Sequence, residues 1–185
     1  MFGRRGTAVA LGSLLLVGST VVWAPAGLAG TGEGGDSGGR WGITCTGSST
    51  SHYDPPLTLA PQPSHVHADI TYTCTVAPGH TVPATGSFDA DLPTASCVSL
   101  SGGGGTETVR YDDGGGRSLI VYDSAPRVRA AGALLLEQSG RVTEGRGKGH
   151  RVRRTVAGPP RELPTGCLTS GLGGGGYAVQ LEIQP

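Results

Sequence analysis

The chain has 185 residues, with 14 Lys and Arg set against 14 Asp and Glu, so its formal charge at pH 7 is +0. That balance argues against nucleic acid or an acidic surface as the main partner on bulk charge alone. It also contains 34 Gly, a single lysine (Lys148) and no asparagine, which reads as GC-rich codon usage and removes any N-glycosylation site.

Residues 1–29 have the three parts of a secretory leader: Arg4 and Arg5, an apolar stretch from Thr7 to Trp23, and small residues ending in Gly27-Leu28-Ala29. Cleavage after Ala26 is the alternative. The stretch is at the lower limit for spanning a bilayer, so an uncleaved anchor is a second reading. The arginine pair lacks the flanking residues of a twin-arginine signal, which favours the general secretion route. Thr31 stands where a lipoprotein would need cysteine, and Leu163-Pro164-Thr165-Gly166 lacks the spacer of a wall-sorting signal. A released, extracellular protein without a membrane anchor is expected, slightly acidic once Arg4 and Arg5 are gone.

Residues 30–40 are glycine-rich without hydrophobic period and read as a disordered arm. Residues 41–185 are expected to form one domain. Tyr53 to Ser64 carries Pro55, Pro56, Pro61 and Pro63, which argues against helix and central strand. From Val66 to Val76 apolar and polar residues alternate, the mark of a half-buried antiparallel strand with Cys74 facing inward. Weaker strand patterns span 86–92, 95–100, 106–111, 118–122, 128–137 and 148–157. A strong one closes the chain at Tyr177, Val179, Leu181 and Ile183. Only 130–138 has a helical alternative. Asp113-Gly114 signals a hairpin. Eight or nine short strands between glycine turns predict an all-β fold, an antiparallel β-sandwich or barrel.

Four cysteines in an exported chain read as two disulfides rather than a metal or redox site. Of the three pairings, Cys45–Cys74 with Cys97–Cys167 is favoured. On the loop-entropy model these are worth roughly 3.5 and 4.4 kcal/mol.

Several strings invite a chemical reading. Gly35-Asp36-Ser37-Gly38-Gly39 matches a serine-protease nucleophile motif, but it precedes every histidine and has no strand leading into it, so Ser37 is read as linker. His65 and His67 sit at strand spacing with Asp69 beyond. A pair of this kind holds a metal only with a third ligand from a neighbouring strand, His52 or His80 being the candidates. The plainer reading is a solvated face continued by Thr71, Thr73 and Thr75, and no metal is assigned. Asp112-Asp113 lacks the alternating acids of a calcium loop and reads as a hairpin tip. Arg146, Lys148, Arg151, Arg153 and Arg154 form the one strong charge asymmetry and are the candidate anion-binding residues, with a charged edge or hairpin as the plainer reading. Exposed aromatics are too few to support sugar stacking.

Cys45-x-Gly47, Tyr53-Asp54-Pro55-Pro56-Leu57-Thr58, Ser96-Cys97 and Gly140-Arg141-Val142-Thr143-Glu144-Gly145-x-Gly147-x-Gly149 together resemble a group of small secreted actinobacterial proteins without an established activity. The resemblance implies a disulfide-stapled β domain. Secreted subtilisin inhibitors of Streptomyces share the size range and two disulfides, but their cysteine spacings differ. The expected function is a non-enzymatic extracellular binding or structural domain, without catalytic residues or cofactor, whose partner is an anionic cell-wall polymer or an extracellular protein. An extracellular protease inhibitor presenting segment 53–64 is the alternative, and a small secreted hydrolase the third reading.

Overall fold

A computed structural model describes residues 41–101, 104–123, 127–130, 133–158 and 165–185. The expected leader, the arm and Ser37 lie outside the described residues. The strands are β1 (Ile43–Leu57), β2 (Gln62–Ala77), β3 (His80–Ala95), β4 (Leu100–Ser101), β5 (Gly105–Tyr111), β6 (Arg117–Tyr122), β7 (Arg127–Ala130), β8 (Ala133–Gly145), β9 (Arg151–Ala157) and β10 (Leu172–Gln184). Eight of them pair antiparallel in the cyclic order β1, β2, β3, β5, β6, β8, β9, β10, and β10 returns to β1. The all-β expectation resolves to a closed up-and-down barrel, which leaves those eight strands no open edge. β4 adds to the end of β3, and β7 pairs only with β8.

Several expectations needed correction. The strands are longer than expected, because alternation continues through positions that looked like breaks. Segments 86–92 and 95–100 were expected as separate strands, but β3 runs unbroken from His80 to Ala95. The 128–137 segment is neither one strand nor a helix. It folds back as the β7–β8 hairpin. The proline-rich stretch is not excluded from the barrel either, since β1 continues to Leu57. Pro55 and Pro56, following a cis Asp54-Pro55 bond, lie where the β1–β10 ladder is interrupted between His52 and Leu57. Pro63 falls in a register shift between β2 and β3. Proline, lacking an N–H, is tolerated at such interruptions.

Period-two alternation sends one set of side chains into the barrel. Ile43 and Cys45 of β1, Ile70, Tyr72 and Cys74 of β2, Phe88 of β3, Val109 of β5, Ile120 and Tyr122 of β6, Val142 of β8, Val152 and Val156 of β9, and Leu181 and Ile183 of β10 form the core. Both favoured disulfides are present. Cys45–Cys74 joins directly paired positions of β1 and β2 inside the barrel. Cys97–Cys167 joins the segment after β3 to a 3-10 turn at Thr165–Leu168.

The two ends of the barrel differ. At one end Cys97 N donates to Thr58 O at 2.8 Å, so the disulfide gathers the β1–β2 turn, the β3–β4 segment and the β9–β10 connection. At the other end the β2–β3, β5–β6 and β8–β9 turns meet the start of β1, and there Cys45–Cys74 staples the start of β1 to the end of β2 while the β5–β6 and β8–β9 turns carry no disulfide.

Candidate functional site

The barrel interior holds an ion pair. Glu107 is fully buried and Arg154 is 3% exposed. Tyr122 donates to Glu107 Oε2 at 2.6 Å, and Tyr72 donates to Oε1 at 2.8 Å. Arg154 Nε lies 3.4 Å from Glu107 Oε2 without hydrogen-bond alignment, while a terminal nitrogen donates to Gln138 Oε1 at 2.7 Å. The guanidinium also covers the Phe88 ring, 4.3 Å from its centroid. Space for this cluster comes from Gly86, where a Cβ would stand 3.0 Å from Glu107 Oε1 and 3.0 Å from a Tyr72 ring carbon. Burial, with the Glu107 charge adding to it, pushes both phenols well above their ordinary range. They therefore act as donors. Burial pulls Arg154 down, but Glu107 and the two tyrosines outweigh it and hold it charged. Sealed from solvent, this cluster organises the core.

The end remote from the Cys97–Cys167 bridge opens into a cleft of about 910 Å³, within the range of small-molecule sites. Its cationic wall comes from two hairpins. Gly145, Gly147 and Gly149 all have positive φ (80°, 75° and 86°), so the alternating glycines of the β8–β9 turn are conformational requirements. A side chain at Gly145 would also run into the Arg117 carbonyl. The turn is held by Arg146 N donating to Arg117 O at 2.9 Å and Gly149 N donating to Val142 O at 2.8 Å. Between the glycines it presents Arg146 and Lys148. Arg146 pairs with Asp113 of the β5–β6 turn at 2.9 Å and lies over the Tyr111 ring. The Gly115 N–H, followed by Arg146, holds the Asp113 carboxyl below its ordinary value. Arg117 reaches Glu144 at 3.5 Å. Lys148, His80 and His150 also line the cleft and have no side-chain partner among the described residues. Arg117, Arg146 and Lys148 thus face one lining carboxylate, Asp113.

The five candidate anion-binding residues do not form one patch. Arg146 and Lys148 line the cleft. Arg151 and Arg153 point outward from β9, where Arg153 Nε is bound by Glu137 Oε1 at 2.8 Å. Arg154 belongs to the interior, because it alternates in phase with Val152 and Val156. Sequence reading missed Arg117 in this role and missed Glu107 altogether. Of segment 53–64, only residues 58–61 leave the strands, and Ser64 Oγ bonds back to Pro55 O at 2.8 Å. That leaves little free length for an inhibitory loop.

His65, His67 and Asp69 do lie on the outer face, opposite Asp91, Asp89 and Ser87 of β3 respectively. Among the described residues no group of three or more His, Cys, Asp or Glu is arranged to hold a metal. Instead the side chains form an alternating ladder. His65 Nδ1 bonds Asp91 at 2.9 Å, and His67 Nδ1 bonds Asp89 at 2.8 Å. Contacts of 3.5 Å link His65 to Asp89 and His67 to Asp69. The bond to Asp91 raises the His65 pKa, and the bond to Asp89 raises that of His67, each against a smaller opposing effect of burial. A raised folded-state pKa contributes stability that is complete below about 6.5, the unfolded value, and is lost as pH rises through the folded value. Tm is therefore expected to fall by about 1–3 °C between pH 6 and pH 8.5, a small effect because these pairs are solvent-screened. Thermal melts of His65→Ala/His67→Ala should lose that slope, and an unchanged slope would assign it to other groups. Asp113 titrates in the acid range and does not contribute in this window.

No protein-family model, curated protein or solved structure matches this chain.

Proposed function

We propose that this chain is a secreted, non-enzymatic binding domain that takes an anionic ligand outside the cell, at the end of the barrel remote from the Cys97–Cys167 bridge. The observation that carries the reading is a cleft of ligand size lined by Arg117, Arg146 and Lys148, where Glu144 and Asp113 meet the two arginines and Lys148 has no carboxylate partner among the described residues. Glycine-defined turns fix the backbone that carries Arg146 and Lys148, so the positions from which these cations reach the cleft are set before a ligand arrives. Export is supported by the leader-like residues 1–29, and the two disulfides favour an oxidising compartment. An anionic wall polymer is the partner class that fits both location and charge.

Heparin serves as a test polyanion. The protein should be retained at low ionic strength and released by salt, as expected for counterion exchange. Arg117→Ala/Lys148→Ala should weaken binding about tenfold, roughly 1.4 kcal/mol. Arg151→Ala/Arg153→Ala, on the outer wall, should change it little. A parent protein that passes through unretained would end the proposal.

A further inference from the structure

The two walls of the cleft differ in chemistry, and the difference constrains the ligand. Opposite the cationic hairpins, the lining at the start of β1 and the end of β2 is Trp41, Ile43, Val76 and Ala77. Trp41 is 56% exposed, although the large hydrophobic residues of the barrel interior are buried. Its position is constrained from behind: a Cβ at the adjacent Gly42 would stand 2.9 Å from the Ile183 carbonyl, so the chain entering β1 runs close against β10. Trp41 is thus carried at the rim of the cleft by a backbone that runs close against β10. A polyanion lying across this end would find countercharges on one side only. A ligand with one acidic group and an apolar body would satisfy both sides at once.

We propose that the ligand portion seated in the cleft is an amphipathic anion, in which an acidic headgroup meets Lys148 and Arg117 and a flat apolar or aromatic body lies against Trp41. This rests on the reading that this end binds anions, and adds that a charged group joined to an apolar one is recognised there. Ring-on-ring contact with an indole adds to simple burial of apolar area. An apolar contact and a charged contact made by one ligand need only one loss of translational freedom.

The test is calorimetric titration of the secreted protein with 1-naphthyl phosphate, inorganic phosphate and 1-naphthol, beside heparin retention. Naphthyl phosphate should bind at one site, at least about tenfold more tightly than either inorganic phosphate or naphthol. Trp41→Ala should weaken naphthyl phosphate about tenfold and heparin retention by much less. Trp41→Phe, which keeps a ring, should recover most of the loss. Arg117→Ala/Lys148→Ala should weaken both ligands. Trp41 is the only tryptophan beyond Trp23, so quenching of its emission by naphthyl phosphate gives a second readout. If naphthyl phosphate binds no better than inorganic phosphate, or Trp41→Ala leaves its affinity intact, the amphipathic ligand is ruled out. Continued heparin retention would then leave the anion-binding reading standing, whereas its absence would remove both.

Discussion

Glu107→Ala is expected to lower the unfolding free energy by about 3–5 kcal/mol, the usual cost of stripping one partner from a buried ion pair. Alanine leaves the Arg154 guanidinium charged and enclosed, with Gln138 as its remaining close acceptor. It also removes the acceptor of two buried phenols, Tyr72 and Tyr122. An unsatisfied buried donor costs about 1–3 kcal/mol, so the loss extends beyond the charge pair. For a domain of this size the Tm should fall on the order of 10 °C. The paired change Glu107→Leu/Arg154→Met removes both charges together and should cost less than Glu107→Ala alone, because no isolated charge remains inside. Urea titrations of the two variants beside the parent provide the comparison. A Glu107→Ala midpoint equal to the parent's would mean that water reaches the pair, contrary to the sealed geometry.

That pair also marks where sequence reading ends. Arg154 alternates in phase with Val152 and Val156, so its inward direction is written in the local pattern. Glu107 likewise falls in phase with Val109 and Tyr111. A charged residue at a core position of a strand is a visible anomaly, and two of opposite sign invite pairing. Their meeting, however, depends on how β5 and β9 sit across the barrel, set by the summed register of every strand between them. Local periodicity carries no information about that sum.

Secondary structure class was legible because it follows from short-range rules, alternation and turn residues, and an even cysteine count behind a leader-like segment pointed to two disulfides while leaving three pairings open. Barrel closure was not legible, since Ile43 pairing with Ile183 joins opposite ends of the domain. The candidate site was legible in part. Arg146 and Lys148 stood out as charge between glycines. Arg117 and Trp41 lie on other elements, far off in sequence, and join the cleft only because an up-and-down barrel brings alternate turns to the same end. The glycine excess as a whole reads as codon usage, which says nothing of Gly145, Gly147 and Gly149 in particular. Their positive φ values make them the reason the cations are presented as they are.

Removing the Cys97–Cys167 bridge should separate stability from binding. Its partners are 70 residues apart, so on the loop-entropy model the cross-link is worth about 4.4 kcal/mol, with measured losses for native bridges of about 2–5. The bridge holds the β3–β4 segment and the β9–β10 connection against the β1–β2 turn, and no strand pairing joins the segment around Cys97 directly to the turn around Cys167. Cys97→Ala/Cys167→Ala should therefore lower Tm on the order of 10 °C. The cationic cleft lies at the opposite end, on turns held by their own backbone hydrogen bonds and by the Arg146–Asp113 pair. Below its lowered melting point, the variant should bind heparin with the parent's affinity and salt dependence. Barrel strands are stiff and paired on both sides, so slack at one end has no soft element through which to reach the other. A variant that kept its Tm would show that the loop ends are held without the bridge. One that stayed folded yet lost heparin binding would mean that the ends are coupled through the barrel, and would move the binding site away from the cleft formed by Arg117, Arg146 and Lys148.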